Sequence, residues 1–228
     1  MKRLKPFRLQ TKGRKPSRRA FLEIYQTLLH HYGRRHWWPA ETPFEMMVGA
    51  ILTQSTSWRN VEKAIDHLSL RKKLSFKAVR KISRSSLARL IKTAGYFNIK
   101  ADRLKNLVNY LWDVYRGNLK QMFLKNPHLL RKELLEVKGI GEETADSILL
   151  YAAKKKIFVV DTYTRRVFSR HGFIQGDESY SAIQKIITDH LPLNLQLFND
   201  YHAQIVEVGK DYCRRTPNCS ECPLNRLL

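Results

Sequence analysis

The chain has 228 residues, 42 Lys and Arg against 20 Asp and Glu, and a formal net charge of +22. With 43% hydrophobic residues it can build a core, so wholesale disorder is excluded. No apolar run reaches the roughly 18 residues of a bilayer span, and three cysteines make no disulfide scaffold. Charge of this size points to a polyanionic partner and says nothing about fold. No apolar segment follows the basic N-terminus, so no secretory leader is expected. Cysteines gathered at 213–222 suit a reducing compartment, either cytoplasm at the nucleoid or nucleus.

Residues 1–19 hold nine Lys and Arg and no acid. They read as a flexible basic arm, either a phosphate-contacting tail or a solubilising one. Ser17 then caps a helix that carries Phe21, Ile24, Leu28 and Leu29 on one face and stops at Gly33. Thr42-Pro43 opens a second helix, Ser57 a third and Ser75 a short fourth. Ser85–Thr93 is a fifth, closed by Gly95. Residues 98–116 form a long sixth, with Leu104, Leu107, Leu111 and Val114 facing inward. Further helices are predicted from Pro127, over Glu142–Ala153, and at about 162–170, 179–190 and 197–212. Ile157–Val160 is strand-like, but four residues make no sheet. The expectation is an all-α protein of about ten short helices.

Two local patterns carry chemistry. In Leu134–Ala145 a helix ends, Gly139-Ile140-Gly141 turns, and a new helix begins. Such a turn can be a plain link between helices. It can also be a phosphate seat, where glycines admit close approach and amides at the positive helix end face the anion. Twenty residues on, Val160-Asp161-Thr162-Tyr163 ends an apolar stretch and opens the basic helix that carries Arg165. Asp161 reads either as an N-cap or as a carboxylate placed to stabilise a developing cation.

With these residues in view, the sequence resembles the endonuclease III superfamily of helix-hairpin-helix DNA glycosylases, over roughly residues 20–225. Leu52-Thr53-Gln54-Ser55-Thr56 and Gly95-Tyr96-Phe97-Asn98-Ile99-Lys100-Ala101 match further family segments, in the right order. The resemblance implies a six-helix barrel over 37–155 and a second helical domain from 20–36 and 156–228, with a DNA-reading cleft between them. It implies hairpin anchoring of a phosphate by Gly139, Ile140 and Gly141, Gln54 filling the gap left by a flipped base, and Asp161 assisting base departure. The expected partner is double-stranded DNA with a damaged base, bound by a monomer without a membrane.

Three departures refine this. The position two residues after the second hairpin glycine, Lys in strand-cleaving relatives, is Glu143. A carboxylate forms no imine, so a monofunctional enzyme is expected. The family's four-Cys iron cluster has three counterparts, Cys213, Cys219 and Cys222, and Leu228 stands where the fourth would fall. A metal-free relic, a cluster or zinc completed by a non-Cys ligand, and a missing extension of the chain all stay open; catalysis itself needs no cofactor. Third, Trp37-Trp38-Pro39 and Trp58 read as core packing or, by resemblance to the 3-methyladenine branch, as the base pocket. Electron-rich indoles attract a cationic alkylated base, which is already a good leaving group. The expected function is excision of alkylated purines. The rivals are a glycosylase for oxidised, deaminated or mismatched bases, with or without lyase activity, an enzyme that keeps lyase activity through another amine such as Lys138, and a non-catalytic lesion-binding protein.

Overall fold

The computed structural model describes residues 16–35 and 37–227. It is all-α: twelve α-helices and no strand among the described residues. In chain order they are α1 (Arg18–Tyr32), α2 (Pro43–Leu52), α3 (Trp58–Leu70), α4 (Phe76–Lys81), α5 (Arg84–Leu90) and α6 (Phe97–Tyr115). Then follow α7 (Leu119–Leu124), α8 (Pro127–Glu136), α9 (Glu142–Ser147), α10 (Thr162–Arg170), α11 (Tyr180–His190) and α12 (Leu195–Asp211). The chain divides into two compact units, one from residues 1–37 and 156–228, the other from 38–155.

Side-chain oxygens start most helices. Ser17 accepts from Ala20 N, Thr42 from Glu45 N and Ser75 from Ala78 N, which satisfies amides that have no partner inside the helix. The fifth helix starts earlier than expected because Ser83, not a later serine, is its cap; its end tightens into a 3₁₀ turn over Lys92–Ala94. α7 was not expected; it is short and capped by Asn118. Within α6 the inward face ends on Tyr115, 5% exposed, rather than on Val114, which is 50% exposed. Most of the expected arm, residues 1–15, lies outside the described residues, and its last two, Arg18 and Arg19, are the first turn of α1.

In the unit of residues 38–155, α2 is the central element: eight of its ten residues are buried. It packs on α3, α6, α9 and the wide π-type turn Ile148–Ala152 that continues α9. In the other unit α12 is central, against α1 and α10, while α1 also packs on α11. Phe21, Phe158, Phe168, Phe198 and Tyr201 pack edge-on there, and Tyr201 donates its hydroxyl to Phe21 O at 3.0 Å. Residues 158–160 are buried, yet no strand forms over 157–160. Their polar groups go to α11 instead: Gln184 Nε2 donates to Phe158 O at 2.6 Å, and Val160 N donates to Tyr180 Oη at 3.2 Å. No described helix is long and apolar enough to cross a membrane.

Candidate active site

The hairpin is closed by side chains of its own unit. Gly139 has φ +99°, and a Cβ there would stand 2.3 Å from Arg103 Cγ. Glycine is therefore demanded by backbone conformation and by packing. Gly141 differs: its φ is −95° and a Cβ would meet nothing within 4 Å. Nothing inside the protein requires glycine at 141, and the space beside it is open. Ile140 is buried and anchors the turn. Asn106 Nδ2 donates to Lys138 O at 2.9 Å. Arg131 of α8 spans to α9, donating to Asp146 Oδ1 at 2.7 Å, to its Oδ2 at 3.1 Å and to Glu142 Oε1 at 3.3 Å. Asp146 is fully buried, so this ion pair is a hairpin staple that sequence reading missed. Its only signal was an Arg and an Asp 15 residues apart across the turn. Glu143 is exposed.

Gln54 is tied to the hairpin. Its Nε2 donates to Gly139 O at 3.1 Å and to Thr144 Oγ1 at 2.9 Å, and its Oε1 accepts from Arg103. The amide expected to enter DNA is thus a strut of the turn as it stands. Beside it, buried Lys100 donates to Leu52 O at 2.8 Å and Ala94 O at 2.7 Å. Burial, helped by the charge of Arg103, pushes its ammonium down to about 8.

Trp38 and Trp58 come together edge to face, with centroids 5.2 Å apart. Trp38 lies across Gly49 of α2, where a Cβ would meet its Nε1 at 3.2 Å, and against Tyr151 at 5.6 Å. Trp58 donates its Nε1 to Glu62 at 2.7 Å. Pro39 is exposed. Trp37 groups with the other unit, where the Lys210 ammonium sits 5.6 Å from its ring centroid. The structure therefore pairs two of the three indoles expected to act together.

In that other unit, Asp161 caps α10: its Oδ1 accepts from Thr164 N at 2.6 Å. Its Oδ2 faces His202 Nε2 of α12 at 3.6 Å, and the carboxylate is 11% exposed. The N-cap reading is what the structure shows: one oxygen serves the helix and the other faces His202. Burial would raise its pKa, but the facing His202 and the Thr164 amide outweigh it and hold the carboxyl below the usual range. His202 was not singled out from sequence, because the separation of 41 positions from Asp161 hides the pairing. Arg165, expected at DNA, donates instead to Gly176 O at 3.0 Å and Glu178 O at 2.7 Å and holds the loop after α10.

The three cysteines are free thiols lining one cavity; Cys213 is buried and the other two are half-buried. Burial first, then the neighbouring Cys213 and Cys219, pushes the Cys222 thiol up to about 11. Among the described residues no three His, Cys, Asp or Glu side chains stand at ion-binding spacing. Leu228 lies outside the described residues.

A glycine turn between two helices, with an Asp-capped basic helix twenty residues on, defines a class of DNA repair protein. Residues 48–192 match the HhH-GPD superfamily base excision DNA repair protein family. The chain belongs to that family and is a DNA glycosylase of base excision repair. It is 46% identical to a candidate DNA repair glycosylase of Methanocaldococcus jannaschii, over 90% of this chain and 94% of that one. It is 27% identical to endonuclease III of Thermotoga maritima over 88% of each chain. Among solved structures it resembles H. pylori 3-methyladenine DNA glycosylase (MagIII) bound to 1,N6-ethenoadenine. That match has a TM-score of 0.72 and 28% identity, covering 84% of this chain and 97% of that one. A non-covalent endonuclease III–DNA complex, at TM-score 0.79 and 22% identity, shares the fold over 92% and 94%.

Proposed function

We propose that this chain is a monofunctional N-glycosylase that excises alkylated purines. The observation that carries the reading is the edge-to-face Trp38–Trp58 pair, an indole surface that suits a cationic base. Asp161, with Oδ1 accepting from the Thr164 amide and Oδ2 facing His202, acts as a carboxylate, which suits a base that leaves without a strong general acid. A purine alkylated on a ring nitrogen is such a base, because its nucleotide already carries the positive charge. As the glycosidic bond lengthens, electrons pass to the base and a cation develops on the sugar. The Asp161 carboxylate stabilises that cation, and water adds at the sugar carbon and loses a proton.

The edge-to-face Trp38–Trp58 pair supplies indole surface for a cationic base, an interaction of about 2 kcal/mol when desolvated. Pro39 is assigned to the same pocket. Glu143 supplies no amine, which supports hydrolysis without strand cleavage. The hairpin 139–141 takes the phosphate. The open space beside Gly141 supports this, because the backbone there is free for close approach. Gln54 exchanges its bonds to the hairpin for the gap left by the flipped base. Arg165 enters through the loop it holds rather than through a direct phosphate contact.

Asp161→Asn tests the reading, because Asn caps a helix as well as Asp and the fold should survive. Duplex binding is expected to persist while release of 3-methyladenine from methylated DNA falls by at least about a hundredfold. Retained excision removes Asp161 from this role. Release of uracil or thymine glycol instead, or a borohydride-trapped protein–DNA adduct, overturns the substrate or the monofunctional assignment.

A further inference from the structure

Gly49 lies buried in the middle of α2. Its backbone is helical and its φ is not positive, so the main chain does not ask for glycine there. A helix interior is also weaker with glycine than with alanine. What asks for glycine is Trp38. A Cβ on Gly49 would stand 3.2 Å from Trp38 Nε1, 3.5 Å from its Cζ2 and 3.6 Å from its Cε2, so the indole edge lies on bare backbone. Gly49 O is itself fixed. It accepts from Thr53 N at 2.8 Å and from Thr53 Oγ1 at 2.7 Å, one residue before Gln54.

Trp38 also meets Tyr151, with ring centroids 5.6 Å apart and planes at 56°. Tyr151 is 3% exposed and belongs to the π-type turn Ile148–Ala152. Ala153 N donates to Ile148 O at 3.0 Å and Lys155 N to Leu149 O at 2.8 Å, which closes the widened turn. Such turns are rare inside helices and occur mostly at functional sites. This one packs on α2 and continues α9, so a single helical run links the glycine hairpin to the ring that touches Trp38. Trp38 and Trp58 stay half-buried, which leaves part of the indole surface open.

On the reading that the Trp38–Trp58 surface meets the flipped base, we propose that Gly49 and Tyr151 are positioning residues that fix the seat of Trp38 and so set which bases that surface accepts. A cation is held by the face of an electron-rich ring, and the attraction is lost when the charge slips off that face. A neutral base is held by contact area, which tolerates a change of ring tilt better. Bare backbone at 49 lets the indole lie close on α2, and Tyr151 keeps it from turning. A methyl group at 3.2 Å forces its neighbour to give by a few tenths of an ångström. The half-buried indole gives, because α2 is packed on its other sides by α3, α6 and α9.

The test is single-turnover excision by the full chain, with cationic 3-methyladenine and 7-methylguanine set against neutral 1,N6-ethenoadenine. Gly49→Ala should slow release of the cationic bases by about tenfold, since a misplacement of about 1 Å costs about a hundredfold. Release of the neutral base should slow by no more than about threefold. Binding to duplex with an abasic site and the melting temperature should stay as in the wild type, because alanine suits a helix interior. Near-ultraviolet circular dichroism should change as the indole pair shifts. Tyr151→Leu should reproduce the loss, and Tyr151→Phe, which keeps the ring, should restore the wild-type ratio of cationic to neutral release. If Tyr151→Leu does not fold, Gly49→Ala carries the same readout. A ratio unchanged in these variants, or equal slowing of every base with a lower melting temperature, overturns the proposal. Trp38→Ala separates the two levels. If it leaves 3-methyladenine release untouched, the base-pocket reading itself fails; loss in Trp38→Ala with none in Gly49→Ala removes only the role of the supports.

Discussion

Two turns of this protein are held by arginines, and they differ in what is left over. At the hairpin, Arg103, Arg131, Asn106 and Gln54 converge on residues 138–146 and close the turn with side chains of its own unit. At the cysteine loop, Arg166 and Arg170 clasp four backbone carbonyls, yet three thiols and one imidazole nitrogen remain around a cavity. The first turn is complete and offers open backbone outward at Gly141. The comparison teaches that the hairpin is closed through side-chain partners of its own unit, whereas the cysteine loop is held mainly by its backbone carbonyls and leaves the buried His171 Nε2 without a partner.

The largest blow to the completed turn is Arg131→Ala. It strands the buried Asp146 carboxylate and should cost about 3–5 kcal/mol in denaturant unfolding. A cost under 1 kcal/mol would mean that the hairpin does not rest on its staple.

Next comes Lys100, which holds the end of α2 beside Gln54. Its folded pKa, about 8, lies below the ordinary lysine value of 10.5. Between these values the unfolded chain keeps a proton that the folded chain has released, so stability rises with pH across that window. Relative to Lys100→Met, the wild type should gain roughly 3 kcal/mol from pH 8 to 10.5. A flat difference would show that the ammonium is not desolvated.

The two hairpin glycines then separate packing from ligand approach. Gly139→Ala must fit a Cβ against Arg103 at positive φ and should lose about 1–3 kcal/mol. Gly141→Ala meets no neighbour and should lose only about 0.5–1 kcal/mol, yet weaken duplex DNA binding by roughly tenfold, as read by a binding titration. Equal effects of the two substitutions on stability would erase the distinction between them.

Much of the helical plan was legible because caps are local. Ser17, Thr42, Ser75 and Asn126 announce their helices within three residues, and α7 was overlooked only because Asn118 follows a glycine and opens a short helix. The candidate site was legible at Asp161 and the hairpin glycines for the same reason. Arg165 shows the limit: a basic residue on a basic helix reads as a DNA contact, and only the fold shows that its Nη1 also holds two carbonyls of the next loop. Nothing in the sequence around Gln54 announces that its amide is occupied by a backbone 85 residues away.

By itself the sequence determined the all-α class, the glycine turn, the capping carboxylate and the shortfall of one cysteine, since each follows from residue type and near-neighbour spacing. Only the tertiary structure decided that His202 faces Asp161, that Trp38 pairs with Trp58, that Arg131 staples the hairpin and that His171 lines the cysteine cavity. Those pairings join residues far apart in the chain. They form because burying apolar helix faces brings distant polar groups together, where each must find a partner or bear the cost of losing water.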